Sequence, residues 1–263
     1  MDTGLAGKVA LVAASSRGIG YAIAAGLAGE GARLVLCARG AERLEAAAAE
    51  IRTATGAEVL AVAADLADPG GPRLVVEAGM ARFGRIDVLV TNTGGPPPMS
   101  FSQVQEEQWL RTFETLFLSA ERLIRLVLPG MTKARWGRVV ALTSCACREP
   151  VPGIVLSNAV RISIHGLLKS LVLEYGESGV TFNAVLPGFT LTDRMKELLA
   201  VRSKSSGRSS QELAVEATQA IPLRRAANPD EVAAAVVFLC SHAASYITGV
   251  SLPVDGGRGG FVL

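Results

Sequence analysis

The sequence lacks three features, each of which would have indicated a different class of protein. Its 263 residues carry a formal net charge of only +2, so bulk electrostatics indicates neither a nucleic-acid nor a membrane partner. No run of residues reaches the roughly 18 consecutive apolar positions that a membrane-spanning helix needs. The first residues, MDTGLAG, contain no basic segment followed by a long apolar stretch, so we expect a cytoplasmic protein without a secretory signal.

Cysteine is also scarce, and its spacing argues against a metal centre. The four cysteines stand at positions 37, 145, 147 and 240, and only Cys145 and Cys147 are close together. A C-x-C pair with a single nearby histidine is a poor ligand set for a metal such as zinc. We interpret the cysteines as small apolar core residues and expect no bound metal.

What the sequence does contain is a regular alternation of short apolar runs and longer helical patterns. Most runs are apolar at nearly every position, which is typical of parallel strands covered on both faces. The alternation predicts one α/β domain over residues 1–263, with a Rossmann-type doubly wound parallel sheet of about seven strands and helices on both faces. The predicted strands are 8–14, 34–38, 59–64, 86–91, 139–144, 180–186 and 250–254. The predicted helices include 42–53, 106–128, 154–175 and 230–240.

Two local patterns make the last part of this prediction more specific. Asn228 is predicted to cap a helix, with Pro229 at the first helical position and Glu231 closing a capping box. Pro253 has no backbone N–H to donate to a neighbouring strand, so the last strand is predicted to lie at an edge of the sheet.

One segment interrupts the regular pattern of runs and helices. Residues 201–210, VRSKSSGRSS, are polar, basic and rich in serine. Too little chain follows for a second core, so a linker between two domains does not fit. We interpret the segment as part of a mobile lid, at about residues 193–217, over a binding site, with a plain surface loop as the alternative.

The first predicted strand leads into a glycine-containing turn, AASSRGIG at residues 13–20, and then into a helix. A tight turn, a close backbone approach and a helix N-terminus together form a site for a pyrophosphate group. A glycine pair alone is a weak signal, and an ordinary β–α turn is the alternative, but the place after the first strand favours a dinucleotide site. The predicted contact residues are Ser15, Ser16, Arg17, Gly18, Ile19 and Gly20.

This turn resembles the pattern T-G-x-x-x-G-x-G of the short-chain dehydrogenase/reductase family. It departs from the pattern at Ala13 and Ala14, and an alanine at position 14 is strained if the turn requires a positive φ. The resemblance then continues through nearly the whole chain in the correct order. The further matching segments are DL at 65–66, TNTG at 91–94, VTFNAVLPG at 180–188, ITG at 247–249 and VDGG at 254–257.

The resemblance implies a second set of cofactor contacts. In this family the acidic position after the third strand meets the adenine, and the loop after the sixth strand contacts the nicotinamide carboxamide. A basic residue on the long central helix donates to the nicotinamide ribose. The residues at these and neighbouring positions are Asp65, Leu66, Asn92, Gly94, Arg161, Pro187, Gly188, Thr190 and Thr192.

The charge pattern after the second strand predicts which dinucleotide binds. An NAD site needs an acid there to accept from the ribose 2′-hydroxyl, but this chain has Ala38 followed by Arg39. Arg17 and Ser16 stand in the turn itself. Two guanidinium groups and a hydroxyl suit a 2′-phosphate, so NADP(H) is the predicted cofactor, although Arg39 as a solvated loop charge is the alternative.

The resemblance also implies hydride transfer to or from a carbonyl or alcohol carbon. The family uses a Tyr with a Lys four residues later, an orienting Ser and an Asn. Counting from the flanking matches puts Ser157 at the Tyr position, Arg161 at the Lys position and Leu116 at the Asn position, and only Ser144 is retained. We predict Ser144, Ser157 and Arg161 as the catalytic positions, with a non-standard proton donor, because an arginine holds its proton permanently.

Two hypotheses of function follow. The first is an NADP(H)-dependent oxidoreductase similar to 3-oxoacyl-[acyl-carrier-protein] reductases, acting on a small apolar carbonyl or alcohol substrate. The second is a catalytically silent, NADP(H)-binding member that acts as a sensor or as a partner in an oligomer. Phe101, Phe189, Leu191 and Met195 are candidate pocket residues, with core or lid packing as the alternative. The resemblance implies a homo-oligomer, a tetramer or dimer, formed through the helices near 106–128 and 154–175.

Overall fold

The computed structural model describes residues 2–260, and a seven-stranded parallel sheet forms its centre. The strands are β1 (Val9–Ala13), β2 (Arg33–Ala38), β3 (Val59–Ala63), β4 (Val88–Thr91), β5 (Gly137–Leu142), β6 (Val180–Pro187) and β7 (Ser251–Val254). They lie in the order β3-β2-β1-β4-β5-β6-β7, so the direction of winding reverses between β1 and β4. The prediction of a doubly wound parallel sheet is confirmed, and each predicted strand has its counterpart.

Nine α-helices occupy the described part of the chain. They are α1 (Gly18–Gly29), α2 (Ala41–Thr55), α3 (Gly71–Phe83), α4 (Glu106–Phe113), α5 (Ser119–Ala134), α6 (Val155–Tyr175), α7 (Asp193–Ser206), α8 (Ser210–Gln219) and α9 (Pro229–Cys240). No helix within residues 2–260 combines the length and the apolar character that crossing a bilayer requires.

Helices cover both faces of the sheet and bury two hydrophobic clusters. Successive residues of one strand face opposite sides: in β1, Leu11 belongs to the cluster that contains residues of α3, α5 and α6, while Val12 belongs to the cluster that contains residues of α1, α2 and α9. All five residues of β1 are buried, which explains why the strand has a continuous apolar run rather than an alternating one. The same double coverage holds β4 and β5 in the middle of the sheet.

The predicted helix over 106–128 is interrupted in the structure and also extends further. A π-helical turn at Glu114–Leu118 separates α4 from α5, and α5 continues through Pro129 to Ala134. Tertiary packing explains the extension, because Met131 packs so closely on Gly137 that a Cβ there would lie 2.7 Å from the sulfur. The hydrophobic pattern alone does not reveal the extra residue of a π-turn.

The polar segment 201–210 is mostly helical, so the alternative of a plain surface loop is wrong, while its place in a lid stays a prediction. Helix α7 runs through this segment as far as Ser206 and ends at Gly207, whose φ of 71° gives the left-handed cap. The Ser209 side chain then caps α8 by accepting from the Glu212 N–H at 3.2 Å. Local cap residues therefore make two helices from a segment whose composition suggests a loop.

The two predictions for the last part of the chain are confirmed. Pro229 is the first residue of α9, and the Glu231 carboxylate accepts from the Asn228 backbone N–H at 2.8 Å. Strand β7, which contains Pro253, pairs with β6 and forms one edge of the sheet. Arg225 also donates two hydrogen bonds to the Glu231 carboxylate, from Nη1 to Oε2 at 2.7 Å and from Nη2 to Oε1 at 2.6 Å. The hydrogen bonds from Arg225 and from the Asn228 N–H lower the pKa of Glu231 to about 2.

The Glu231→Gln variant tests this capping interaction through its pH dependence. Because the pKa of Glu231 is lowered in the folded protein, its contribution is complete above the unfolded pKa of about 4.3 and disappears as the pH falls through about 2. We expect a lower melting temperature than wild type at pH 7 and convergence of the two proteins toward pH 2. Glu58→Gln, which removes only an exposed ion pair with Arg82, is the control with a smaller effect at pH 7. A constant difference at all pH values would contradict the interpretation.

Candidate functional site

The turn between β1 and α1 lies where the winding direction reverses, at the carboxyl edge of the sheet. Such switch points are where open α/β sheets bind ligands. Gly18 has a φ of 59°, and a Cβ at Gly20 would lie 2.3 Å from the Ala14 carbonyl oxygen. Ala14 itself has a φ of 50°, so the turn does place an alanine in the left-handed region. The turn keeps the tight backbone path of a phosphate-binding loop at the cost of strain at one residue.

Ser15 holds this turn against the end of β2. It is fully buried, its N–H donates to the Cys37 carbonyl at 3.1 Å, and its hydroxyl accepts from the Cys37 N–H at 3.1 Å. Both groups are therefore used within the protein. The structure gives Ser15 a role in positioning the turn, while Ser16 and Arg17 are the more exposed residues of the loop.

Arg17 reaches across the turn to the start of α7. Its Nη1 lies 3.2 Å from Asp193 Oδ2, and Arg43 Nη2 lies 3.2 Å from the same oxygen. Arg39, which the sequence predicts beside Arg17, is exposed and forms no hydrogen bond or ion pair with residues 2–260. The sequence reasoning missed Arg43. A basic residue in the first turn of the helix after the second strand was the signal that could have found it.

The loop after β6 brings α7 to the phosphate turn. Thr192 caps α7 by accepting from the Met195 N–H at 3.2 Å, and its methyl group lies 3.5 Å from where a Cβ at Gly18 would be. A Cβ at Gly188 would lie 2.7 Å from the Asp255 Cα, so Pro187-Gly188 packs closely on the segment after β7. Thr190 is buried and donates to the Gly188 carbonyl at 3.2 Å. These contacts place the start of the predicted lid directly over the turn.

The predicted residues after β3 and β4 lie at the same carboxyl edge. The Asp65 side chain accepts from the Ala67 N–H at 3.0 Å, and Leu66 is buried. Asn92 packs against α1, since its Nδ2 lies 3.0 Å from where a Cβ at Gly20 would be. Gly94 follows in the same segment. The turn, these two loops and the loop after β6 all lie at this edge of the sheet, and we call the space that they border the carboxyl-edge crevice.

A buried arginine occupies the far part of this crevice. Arg161 is 9% exposed, and its Nε donates to the Ser157 hydroxyl at 3.2 Å, one turn earlier on α6. No carboxylate within residues 2–260 lies at ion-pair distance from Arg161. Burial lowers the pKa of Arg161, Cys147 raises it, and the Arg194 guanidinium lowers it further. The structure thus brings Ser157 and Arg161 together, as their spacing of four residues predicts.

A small cavity opens beside this guanidinium at the carboxyl ends of β4 and β5. Leu116 lies in the π-helical turn and reaches the same cavity as Arg161, although the two residues are far apart in the chain. The lining residues are Thr91, Asn92, Thr93, Leu116, Ala120, Ala141, Leu142, Thr143, Arg161 and Ile164. The candidate pocket residues Phe101, Phe189, Leu191 and Met195 do not line it. Phe189 is buried at a second cavity with Leu223 and Val254, and Phe101 is 74% exposed.

Ser144 follows β5 and has one hydrogen bond that leaves its own proton available. Its hydroxyl accepts from the Ala146 N–H at 3.1 Å, which caps a short 3₁₀ turn at Cys145–Cys147. A hydroxyl that accepts in this way can still donate to another oxygen. Ser144 lies at the same sheet edge as Asn92 and Gly188 but is not among the residues that line the cavity beside Arg161, so its catalytic role stays a prediction.

Cys145 and His165 make their hydrogen bonds to β6 and β7 rather than to the residues of the crevice. Cys145 Sγ donates to the Leu186 carbonyl at 3.1 Å, and burial, with a smaller effect of Asp255, raises the pKa of its thiol to about 12. His165 pairs through Nδ1 with Ser251 of β7 at 2.6 Å. Burial lowers the pKa of His165, with a smaller effect of Arg148. Within residues 2–260 no three His, Cys, Asp or Glu side chains are grouped as metal ligands would be.

The fold and this crevice define a doubly wound α/β protein with a dinucleotide-type binding turn. Comparison with known proteins identifies the family. The profile of the family described as enoyl-(acyl carrier protein) reductase matches residues 13–258. The chain is 36% identical over 253 residues to the 3-oxoacyl-[acyl-carrier-protein] reductase FabG of Vibrio cholerae, which covers 96% of this chain and 98% of the relative. The chain belongs to the short-chain dehydrogenase/reductase family.

Solved structures show the same relationship. The L-sorbose reductase of Gluconobacter frateurii, complexed with NADPH and L-sorbose, superposes with a TM-score of 0.95 at 34% identity and covers 100% of both chains. An actinorhodin polyketide ketoreductase with NADPH gives a TM-score of 0.93 at 32% identity, covering 97% of this chain and 98% of that one. The similarity extends over the whole domain rather than over the dinucleotide turn alone.

Ala14→Gly tests the strain in the turn. An alanine in the left-handed region costs about 1–2 kcal/mol, and glycine loses about 0.5–1 kcal/mol more backbone entropy on folding, so we expect a net gain of about 0.5–1 kcal/mol. For a domain of this size, that raises the melting temperature by about 1–4 °C. The control is Ala13→Gly, in the buried strand β1, which should lower the melting temperature. A fall for both variants would show that the turn does not strain Ala14.

Proposed function

We propose that this chain is an NADP(H)-dependent oxidoreductase acting on a carbonyl or alcohol carbon of a small apolar substrate, with a non-standard proton donor. The observation that carries the proposal is the buried guanidinium of Arg161, which borders the carboxyl-edge crevice. Within residues 2–260 its hydrogen-bond partner is the neutral Ser157 alone. A buried cation is stable only beside electron-rich groups. Ribose hydroxyls and a carbonyl oxygen that gains negative charge would provide them.

The residues of the turn fit a dinucleotide. The absence of a side chain at Gly20 permits the close backbone packing, and Gly18 takes a positive φ where α1 begins. Arg17 would hold the 2′-phosphate, and Asn92 and Thr192 border the path between the turn and Arg161. When bound, the nicotinamide ring supplies or accepts the hydride. The family resemblance and the NADPH-bound L-sorbose reductase support this cofactor.

Ser144 is the proposed donor to the substrate oxygen. Because its hydroxyl accepts from the Ala146 N–H, its orientation is restricted and its own proton is directed away from that nitrogen. A fixed donor that faces a developing negative charge stabilises the transition state more than the ground state. Ser144 therefore orients and polarises the carbonyl, but a serine hydroxyl is too weak an acid to deliver the proton itself.

Ser157 and Arg161 stand where the family has its Tyr–Lys acid–base pair. They can stabilise negative charge but cannot supply the proton. The Arg161 guanidinium keeps its proton at any physiological pH, even with the pKa lowered by burial. It would hold the ribose and stabilise negative charge on the substrate oxygen. The proton would then come from a water molecule or from the substrate, and the Ser157 hydroxyl, held by Arg161 Nε, orients that donor.

A catalytically silent, dinucleotide-binding protein is the second candidate, and one observation favours it. Leu116 offers no polar atom to the cavity, and Ser157 and Arg161 are bonded to each other rather than to a shared acid. In that case the chain would act as a sensor or as a partner in an oligomer. Leu110, Phe113 and Ile162, exposed apolar residues on α4 and α6, support association of this chain through these helices in either case.

Consumption of NADPH tests the proposal directly. We expect NADPH binding, and oxidation of NADPH with at least one of a 3-oxoacyl thioester and an aromatic polyketone. Ser144→Ala should lower the rate by roughly 10²-fold or more, because it removes a positioned donor. Ser170→Ala, an exposed hydroxyl on α6, is the control that should keep the wild-type rate.

The same assay separates the two candidates. Tight NADPH binding without turnover on any of these substrates, and no turnover in a Ser157→Tyr/Arg161→Lys double variant, would establish the silent protein. Full activity in Ser144→Ala would exclude the role of Ser144. A gain of activity in the double variant would show that the loss of the acid–base pair limits the natural protein.

A further inference from the structure

The loop after β4, residues 92–99, borders two arginines that come from different helices. We call this segment the β4 loop. Its first two residues line the same cavity as Arg161 of α6. Further along the loop, the Pro96 carbonyl accepts a hydrogen bond from Arg194 Nη2 of α7 at 2.7 Å. The β4 loop therefore brings a guanidinium from the start of the predicted lid toward the buried guanidinium of α6.

The guanidinium of Arg194 is held firmly in this position. A Cβ at Gly95 would lie 3.4 Å from Arg194 Nη2 and 3.6 Å from Nε, so the guanidinium packs directly on the backbone of a glycine. The carbonyl that accepts from it belongs to the first of three consecutive prolines, 96–98, whose rings fix φ. At the end of the loop, the Met99 carbonyl accepts from the Val155 N–H at the start of α6 at 3.4 Å.

Neither arginine has a strong anionic partner in the protein. Arg194 Nη1 lies 3.5 Å from Glu197 Oε2, and the two side chains are 39% and 52% exposed, so this ion pair contributes little. Arg161 is 9% exposed and, within residues 2–260, its hydrogen bond runs from Nε to the Ser157 hydroxyl. Its Nη1 and Nη2 groups therefore remain available to a ligand in the cavity.

The two guanidinium groups also repel each other. Burial is the main cause of the lowered pKa of Arg161, and Arg194 lowers it further, while Cys147 acts in the opposite direction. Two like charges near each other, one of them desolvated, are unfavourable unless an anion compensates them. Ribose hydroxyls can satisfy the hydrogen bonds of Arg161, but they carry no charge.

We propose that this site recognises a carboxylate of the substrate between Arg194 and Arg161, and that Arg194 is the residue that selects carbonyl compounds bearing such a carboxylate. The proposal rests on the oxidoreductase function proposed above and adds one anionic group to a substrate that is otherwise apolar. A planar guanidinium can donate two parallel hydrogen bonds to a carboxylate. The apolar side chains of the cavity favour a compact monoanion over a phosphate dianion, because desolvation of a second charge costs more; they include Leu116, Leu142 and Ile164.

Oxo acids paired with their neutral amides test this recognition. The series 2-oxohexanoate, 4-oxohexanoate and 5-oxohexanoate varies the separation between the carbonyl carbon and the carboxylate, and each primary amide keeps the shape without the charge. With NADPH, we expect kcat/KM for the best acid to exceed that of its amide tenfold or more, the effect of a charge-assisted hydrogen bond. The rise in melting temperature that each compound gives the NADPH complex is a readout independent of turnover.

Variants of Arg194 separate charge recognition from a purely structural contact. Arg194→Gln should lower kcat/KM for the best acid roughly tenfold or more and change that for its amide less than about twofold, because glutamine can still donate to the Pro96 carbonyl. Arg194→Lys keeps the charge and should retain part of the preference for the acid. Lys196→Gln, an exposed residue of the same helix with the same change in net charge, is the control and should change neither value.

The outcomes distinguish failure of this inference from failure of the proposed function. Equal kcat/KM and equal stabilisation by acid and amide in the wild-type protein would overturn it. Equal losses for acid and amide in Arg194→Gln would reduce Arg194 to a contact that only fastens the loop. Reduction of a 3-oxoacyl thioester without reduction or binding of any oxo acid would sink this inference alone. Stabilisation of the NADPH complex by an acid over its amide without turnover would support carboxylate recognition while the proposed reaction fails.

Discussion

Parallel pairing of β1 with both β2 and β4 is the constraint on which the rest of the molecule depends. Because all seven strands run the same way, every strand ends at one edge, and the loops that follow β1, β4, β5 and β6 meet there. The reversal of winding beside β1 separates the neighbouring crossover helices and opens a crevice. Residues that are distant in the chain, such as Arg17, Asn92 and Ser144, acquire their common surroundings from this one arrangement.

Charge in this crevice is arranged very unevenly. At the outer end, Arg17 and Arg43 are half-exposed and share the Asp193 carboxylate. At the inner end, Arg161 is buried with a hydroxyl as its partner, and the desolvation of its charge has no compensating carboxylate within residues 2–260. Both ends therefore favour electron-rich groups.

Several features could be predicted from the sequence because their causes are local. Continuous apolar runs gave the buried strands, Asn228, Pro229 and Glu231 gave the start of α9, and Pro253 placed β7 at an edge. Predictions from composition and hydrophobic pattern failed where a contact with a distant residue, or a helix-cap residue, determined the secondary structure. The segment 201–210 suggested a loop by composition, but Gly207 and Ser209 make it the junction of two helices. Helix α5 passes Pro129 because Met131 packs on Gly137.

The sequence by itself determined the parallel sheet, the phosphate-type turn and the spacing that joins Ser157 to Arg161, because helix and strand periodicities act over a few residues. Only the tertiary structure decided that Arg43 rather than Arg39 joins Arg17. Arg43 and Arg17 both contact Asp193, which follows them in the chain by 150 and 176 residues. The tertiary structure also decided that Leu116 and Arg161 border one cavity. Such juxtapositions depend on how whole helices pack on the sheet, and no pattern of neighbouring residues encodes them.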